Sequence, residues 1–324
     1  MIIYKPFEMH SHTRHSDGRF TLEELCDTAK RYGFEGIALT DHNTTAAFDG
    51  LPETPVINGI PVIRGIEWTT FFGHMQALYA EKFVDWRWAE PDIIDMYIAR
   101  LKEVNAVVGI VHPFEVGSPM CTGCFWDFHV RNWDAVDYLE VWSKGSPTKR
   151  YETPLALEMW TDLLNRGHRI AVTAGRDWHW DNGREHSAAT CIGLEDGIVS
   201  AKTVRDAFRC GRTYLTCGPE MDIAVEQDGI SHTIGETLHP GPCKMTVSLD
   251  RTARRTAWEK FGIMPGEMCV VMNGKVACSA DCLYEDHVEM DFSAENGWFR
   301  LEIRGDALGE SGKQVGLSSA FYCE

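Results

Sequence analysis

The amino-acid sequence predicts an α/β fold over about its first two thirds, followed by a smaller domain of β-strands. Short apolar runs alternate with segments of helical periodicity as far as residue 218, which is typical of a parallel sheet or barrel. After Gly218-Pro219 the helical spacing disappears and short β-type runs take its place. We therefore predict an α/β domain over residues 1–218 and an antiparallel β-sandwich over residues 219–324.

Capping residues and apolar spacing predict four helices between the strands of the first domain. Thr21-Leu22-Glu23-Glu24 matches a capping box, and proline is favoured in the first turn of a helix. The predicted helices begin at Thr21, Pro91, Thr153-Pro154 and Ser200. In the second domain, the predicted strands are Met221–Val225, Lys244–Leu249, Met268–Met272 and Trp298–Ile303. Asn273-Gly274, directly after the third of these runs, has the dipeptide of a tight hairpin turn.

Composition and charge limit the classes of protein to consider. Of 324 residues, 44% are hydrophobic, which is typical of a globular chain with a sizeable core. The net charge of −17 disfavours a nucleic-acid scaffold, which would present a basic face. No apolar stretch approaches the roughly 20 residues of a membrane span. The eleven cysteines cannot all pair, and no signal peptide opens the sequence, so we expect reduced thiols and a cytoplasmic location.

Two histidines alternate at the end of the first apolar run, which extends from Met1 to Phe7. Side chains two residues apart in a strand point to the same side, so His10 and His12 can direct both imidazoles at one ion. Asp17 follows closely and adds a carboxylate. A single His-x-His motif is short, and two loop histidines that occur by chance are the alternative interpretation.

The same pattern recurs at six further places, where an apolar run ends in, or begins with, a residue type that binds metal ions. These residues are Asp41-His42, Glu67, His74, His112, Glu140 and Asp177-Trp178-His179. In parallel α/β barrels the C-terminal ends of the strands together form the active site. Taken singly, each residue has an ordinary structural explanation, such as a buried hydrogen bond or an ion pair. Their recurrence favours a shared metal centre.

The motifs in this series resemble those of the PHP (polymerase and histidinol phosphatase) superfamily of metallohydrolases. They are His10-Ser-His-Thr-x-x-Ser-Asp-Gly18, Leu39-Thr-Asp-His-Asn43, Gly65-Ile-Glu-Trp68, Gly73-His-Met75, Val111-His-Pro113 and Arg176-Asp-Trp-His179. The chain is most similar to the carbaryl-esterase-like branch, which carries a β-rich C-terminal domain. The resemblance implies a distorted seven-stranded (β/α) barrel that holds two or three divalent metal ions, Mn²⁺, Zn²⁺ or Fe²⁺.

The resemblance also implies how the ligands divide among the ions. His10 and His12 would bind a first metal ion together with Glu67 and Asp177. Glu67 would bridge to a second ion held by His74 and His112. Asp17, His42 and His179 would hold a third ion. Carboxylates suit bridging positions because each oxygen can serve one ion, and neutral imidazoles complete the coordination.

Several neighbouring residues have open roles in the sequence. Asp41 could orient a ligand or shuttle a proton, and Glu140 is expected behind the ligands at the barrel mouth. Arg176 could clamp a phosphate or carboxylate with paired hydrogen bonds, or balance the carboxylates of the cluster. The residues Lys144, Lys149 and Arg150 form a small basic patch, for which a solvated loop is an equally good explanation.

The predicted function is hydrolysis by a hydroxide that bridges two metal ions, with Glu67 and Asp177 as the central residues. The leading substrate class is a small phosphorylated metabolite or nucleotide, and the alternative is a carbamate, ester or amide, which the same hydroxide could attack. A scaffold that has lost catalysis is disfavoured because the ligand set is intact. We expect a small-molecule substrate and no membrane partner; the sequence does not indicate an oligomeric state.

Overall fold

A computed structural model describes residues 1–117, 123–144, 151–183 and 188–324. The ten strands before residue 219 are β1 (Ile2–Ser11), β2 (Gly36–Leu39), β3 (Val56–Ile57), β4 (Ile60–Thr70), β5 (Gly73–Leu78), β6 (Val107–Ile110), β7 (Tyr138–Ser143), β8 (Ala171–Gly175), β9 (Ala189–Glu195) and β10 (Thr213–Thr216). The helices are α1 (Leu22–Arg31), α2 (Ile94–Glu103), α3 (Glu152–Asn165), α4 (Ala201–Arg209) and α5 (Arg255–Trp258). The four predicted helices are α1 to α4, and none of the helices in the described ranges is long and apolar enough to cross a membrane.

The helix caps that the sequence predicts are present at the start of α1 and of α4. Thr21 accepts a hydrogen bond from the backbone of Glu24, whose side chain bonds back to the Thr21 backbone. Ser200 makes the equivalent exchange with Thr203 at the start of α4. Such reciprocal bonds satisfy backbone N–H groups that a helix leaves without partners at its first turn.

Seven strands of the N-terminal region run in the order β1-β2-β4-β5-β6-β7-β8. The pairs β1–β2, β2–β4, β6–β7 and β7–β8 are parallel, whereas β5 is antiparallel to both of its neighbours. The end of β8 returns to β1 at an isolated parallel bridge between Ser11 and Trp178. The mixed α/β character is confirmed, but a closed seven-stranded barrel is not, because the hydrogen-bonded sheet path ends at β8.

The remaining strands make the C-terminal region rich in sheet. They are β11 (Glu220–Gln227), β12 (Ile230–His232), β13 (Thr237–Leu238), β14 (Gly241–Asp250), β15 (Met264–Met272), β16 (Lys275–Asp281), β17 (His287–Ala294), β18 (Gly297–Ala307), β19 (Glu310–Ser318) and β20 (Phe321–Cys323). Strands β12, β11, β14 and β17 form a four-stranded sheet. Asn273 and Gly274 join β15 to β16 with φ values of 49° and 82°, as the predicted two-residue hairpin requires.

The two regions share one sheet, which the sequence does not predict. Strand β10 pairs with β9 on one side and with β19 on the other, so the N-terminal sheet continues into β18, β20 and β13. The second, four-stranded sheet contacts it through Phe292 and Phe299, whose ring centroids lie 5.0 Å apart. The predicted boundary at residue 218 and the predicted sandwich therefore stay predictions, since the sheet itself crosses that boundary.

Candidate metal centre

Nine side chains from the strands and from the loops that follow them converge in one cluster. They are the nine metal ligands expected from the sequence, and they form three groups whose ligand atoms lie within 4.8 Å of one another. The inner group is His10, His12, Glu67 and Asp177; the second group is Glu67, His74 and His112; the outer group is His12, Asp17, His42 and His179. The grouping matches the expected division, except that His12 also reaches the outer group.

The inner group is completely enclosed by protein apart from Asp177. His10 Nε2 lies 3.2 Å from Glu67 Oε2 and 3.5 Å from Asp177 Oδ1. His12 Nε2 lies 3.4 Å and 2.9 Å from the same two oxygens. Strand alternation places both imidazoles on the same side of β1, as the sequence predicts.

Glu67 joins the inner and second groups through its two oxygens. Its Oε1 lies 2.9 Å from His74 Nδ1 and 3.0 Å from His112 Nε2, while Oε2 faces the inner group. The outer group is more open: Asp17 Oδ1 lies 3.1 Å from His179 Nε2 and 3.5 Å from His42 Nε2. The Asp17 side chain is 58% exposed, so the outer group faces the solvent.

The donor set fits divalent cations. His10 Nε2, His12 Nε2, Glu67 Oε2 and Asp177 Oδ1 are buried and make no hydrogen bond to any residue in the described ranges, although they face one another. Buried polar atoms without partners are costly, and a shared cation would satisfy all four at once. Imidazole nitrogens with carboxylate oxygens are the donors that Zn²⁺, Mn²⁺ and Fe²⁺ accept.

The electrostatics of the cluster keep its carboxylates ionised. Burial opposes charge on Glu67, yet the surrounding imidazoles, His10 foremost, hold the pKa of Glu67 well below its usual range. Burial also disfavours the charged form of His10, but Glu67 and Asp177 outweigh it and raise the pKa of that imidazole. In contrast, burial lowers the pKa of His12 to about 4, which leaves this imidazole neutral and able to donate a lone pair at neutral pH.

Two of the nine residues have a backbone conformation that side chains seldom adopt. The φ values of His112 and Asp177 are 31° and 52°. Residues other than glycine are strained in this region and persist there where the surroundings enforce it, commonly at functional sites. Each residue lies two positions after the end of a strand, His112 after β6 and Asp177 after β8, and belongs to the cluster.

Glu140, the third residue of β7, lies behind the ligands, as expected from the sequence. Its Oε2 lies 2.9 Å from His10 Nδ1, and its Oε1 accepts hydrogen bonds from the Ser143 hydroxyl and the His112 backbone. A carboxylate on the far nitrogen of a metal-binding imidazole fixes the ring orientation and its tautomer.

Asp41 anchors a loop and does not join the ligand groups. Its Oδ1 accepts hydrogen bonds from the Thr13 backbone and the Ser16 hydroxyl, and its Oδ2 accepts one from the Thr13 hydroxyl. The anchored loop connects His12 to Asp17. Both oxygens of Asp41 are therefore occupied in positioning this loop, which makes a proton shuttle a less suitable role.

Arg176 is placed away from the cluster. Its guanidinium carbon lies 4.2 Å from the Trp178 ring centroid and 4.9 Å from that of Tyr32, and the residue is 3% exposed. Asp177, whose φ is positive, contacts the ligands, while Arg176 packs on Trp178 and on Tyr32, which ends α1. The structure does not bring Arg176 to where it could clamp a substrate phosphate.

Lys144 places a cation beside Asp177, the ligand that follows Arg176 in the sequence. It follows β7 with a φ of 57°, and its Nζ contacts Asp177 Oδ2 at 2.5 Å and Glu115 Oε1 at 3.2 Å. Lys149 and Arg150 of the expected basic patch lie outside the described residues. Sequence reasoning named Lys144 only as one member of that patch, because the contact with Asp177 joins residues 33 positions apart.

Glu8 is a buried acid that sequence reasoning missed. It lies two residues before His10 on β1, so strand alternation could have indicated that it points inward with the histidines. Its Oε1 accepts hydrogen bonds from the backbones of His10 and Arg176. Burial raises the pKa of Glu8 to about 7.

The chain matches a family model and is similar to solved structures. Residues 8–140 match the family model of the PHP domain. The structure resembles a two-domain protein of Bacteroides vulgatus, described as containing a predicted PHP-like metal-dependent phosphoesterase, with a TM-score of 0.51 and 14% identity over 98% of this chain and 95% of that one. A candidate metal-dependent phosphoesterase of Bifidobacterium adolescentis gives a TM-score of 0.40 and 21% identity, over 62% of this chain and 94% of that one.

A curated relative matches a short part of the chain. Over 60 residues, 18% of this chain, the sequence is 37% identical to a phosphoribosyl 1,2-cyclic phosphate 1,2-diphosphodiesterase of Eggerthella lenta. The alignment spans 23% of that protein. None of these matches confirms the carbaryl-esterase-like branch. The match to the PHP domain model ends at residue 140, and the segment that follows supplies Asp177 and His179 to the same cluster.

Proposed function

We propose that the chain is a metal-dependent phosphoesterase that acts on a small phosphorylated metabolite or nucleotide. The observation that carries this proposal is the sharing of ligands: Glu67 belongs to two groups and His12 to two groups, so adjacent cations would lie side by side. When bound, such cations lower the pKa of water and neutralise charge that develops on a phosphoryl group. The cluster fits this chemistry because Glu67, whose pKa is held well below its usual range, offers one oxygen to each of two ligand groups.

Residues of the chain would bind the cations, orient their ligands and position the substrate. Glu67 and Asp177 would hold the cations, and Glu140 would fix the ring of His10 against them. Lys144 would place a positive charge beside Asp177, where a phosphoryl oxygen of the substrate could share it. Asp41 would keep the loop that carries Asp17 at the edge of the cluster.

The comparisons support phosphate chemistry over the alternative. The Eggerthella lenta relative is named for the hydrolysis of a phosphodiester, although the alignment covers a small part of that protein. We include the carbamate, ester and amide alternative as an outcome of the test, because the same ligand groups could serve a carbonyl substrate.

The test combines metal content with matched substrates. The purified protein is analysed for bound Mn, Zn and Fe, and the reconstituted protein is assayed on aryl phosphates, a cyclic phosphodiester, aryl carbamates and aryl esters that share one aryl group. We expect two or three divalent ions per chain and faster hydrolysis of the phosphate esters. A protein that takes up less than one ion would contradict the metal centre, whereas a preference for the neutral substrates would establish the alternative.

A further inference from the structure

The solvent reaches the candidate metal centre over the outer group. His10, His12 and Glu67 have no exposed side-chain surface, whereas Asp17 is 58%, His42 22% and His179 16% exposed as side chains. Among the described members of the cluster, Asp17, His42 and His179 of the outer group are the most exposed, so a substrate can approach from their side. The residues at this edge are in a position to contact the part of the substrate that does not react.

An indole and a guanidinium lie together at this edge. Trp180 follows His179 and is 49% exposed, and its ring centroid lies 6.2 Å from the His179 imidazole. The guanidinium carbon of Arg19 lies 4.9 Å from the indole centroid. The Arg19 backbone N–H donates to the His179 carbonyl at 2.7 Å, which connects the loop after β1 to the loop after β8.

The loop that carries Arg19 is positioned by residues that also position the metal ligands. A side chain at Gly18 would place its Cβ 2.4 Å from the His12 carbonyl oxygen, so only glycine allows the loop to pass this closely before Arg19. Asp41 anchors the start of the loop at Thr13. By contrast, Trp178, two residues before Trp180, is 2% exposed and packs in the core. Trp178 is explained by packing, whereas the exposed surface of Trp180 is not.

The chemistry of the pair suits an anion that carries a flat ring. An indole offers a face on which nucleobases and aryl rings stack, and a guanidinium stacks on the same ring systems while attracting negative charge. The chain as a whole has a net charge of −17 and repels anions. A cation at the entrance would therefore attract an anionic substrate that the rest of the surface repels. A substrate without a ring would gain nothing from the indole.

We infer that Trp180 and Arg19 select phosphate esters whose leaving group contains a planar aromatic ring, either a nucleoside or an aryl alcohol. The inference rests on the proposed function and narrows its substrate class. The ring would stack on Trp180 while the phosphate reaches the outer and inner groups. Arg19 would contact the aromatic ring and attract the phosphate of the same substrate.

Direct binding measurements can distinguish a failure of this inference from a failure of the proposed function. Benzylphosphonate and methylphosphonate resist hydrolysis and differ by the ring, and their dissociation constants for the Mn²⁺-loaded protein can be measured by calorimetry. We expect the wild type to bind benzylphosphonate at least about tenfold more tightly, as stacking on an aromatic residue provides. Trp180→Ala should remove most of this preference and Trp180→Phe should keep much of it. Arg19→Gln should weaken benzylphosphonate binding by a smaller factor.

Trp88→Ala is the matched control, because Trp88 is also an exposed indole, 76% accessible, on the segment before α2. It should leave both dissociation constants unchanged. If the wild type binds both phosphonates equally, or Trp180→Ala keeps the preference, the inference is wrong while the proposed function stands. If neither phosphonate binds and no phosphate ester is hydrolysed, both fail. Adenosine 5′-monophosphate and phenyl phosphate as competitors distinguish a nucleoside from a simple aryl group.

Discussion

Glu67 is the residue on which two of the three ligand groups depend. Each of its oxygens faces a different group, and the residue is fully buried. An amide at this position keeps the size of the side chain but removes its charge and replaces one oxygen by an NH₂ group that cannot bind a cation. The loss should therefore affect both groups at once.

Glu67→Gln should reduce metal content by at least one ion per chain and phosphoesterase activity by more than about a hundredfold. Losing a residue that only supports a metal ligand already lowers metal affinity or activity by about 10- to 100-fold, and Glu67 is itself an expected ligand. Elemental analysis and initial rates at saturating metal measure the two effects. Glu90→Gln is the control, because Glu90 is an exposed acid before α2. Wild-type metal content and rate in Glu67→Gln would show that Glu67 is not a ligand.

Glu8 gives a prediction for stability against pH. Its pKa is about 7 in the folded chain against an ordinary 4.5, so the folded state binds this proton more tightly than the unfolded state does. The stabilisation is fully present below the ordinary value and is lost as the pH rises through the folded value. The free energy of unfolding should fall by up to about 1.4 kcal/mol per pH unit in this window through Glu8 alone.

Glu8→Gln should remove this part of the pH dependence. The amide oxygen can still accept the two backbone hydrogen bonds from His10 and Arg176. Urea unfolding of metal-free protein at several pH values between 4.5 and 7 gives the slope for each variant. Equal slopes for the wild type and Glu8→Gln would show that Glu8 titrates in its ordinary range.

The nine residues that the resemblance to PHP motifs named as ligands come together in one cluster. Strand alternation explains His10 and His12, and the position after an apolar run explains Glu67, His112 and Asp177. Side-chain direction next to a strained backbone was not predictable, which is why Arg176 was expected at the substrate. The contacts of Lys144 and Asp41 join distant segments, and no local pattern in the sequence encodes them.

At the level of elements, the close approach of β8 to β1 shapes the centre. A Cβ on Gly175, the last residue of β8, would lie 2.4 Å from Glu140 Oε2 and 2.5 Å from the Cβ of His10. Glycine at this position therefore lets three strands meet at the distance that Glu140 needs to contact His10. The sequence shows the glycine but not the neighbours that require it.

Gly175→Ala should displace Glu140 from His10 and weaken metal binding by about 10- to 100-fold, the effect of losing a carboxylate behind a ligand. Competition with a chromophoric chelator measures the affinity. Gly266→Ala is the matched control, because Gly266 also lies in a strand and an added Cβ would meet its first neighbour at an ordinary 3.6 Å. Unchanged affinity in Gly175→Ala would mean that the strands can separate without cost to the centre.

At the scale of the whole molecule, the shared sheet decides how the two regions depend on each other. Tyr214, Leu215 and Thr216 of β10 pair with β19, and all three are buried. The Ser319 hydroxyl accepts from the Val172 backbone of β8, one strand of the candidate centre. A chain cut at residue 218 would lose these partners and leave the paired edge of β10 open, and open edges of this kind promote aggregation.

A fragment of residues 1–218 should therefore be insoluble or bind metal ions weakly, although it contains every member of the cluster. Co-expression of residues 219–324 should restore a soluble complex, because it returns β19 to the edge of β10. Solubility, size-exclusion chromatography and metal content of the fragment, alone and co-expressed, provide the measurement. A soluble monomeric fragment with full metal content would show that the N-terminal sheet is stable without its continuation. The domain boundary predicted from the sequence would then be a true folding boundary, and β10 would be an edge strand that tolerates solvent.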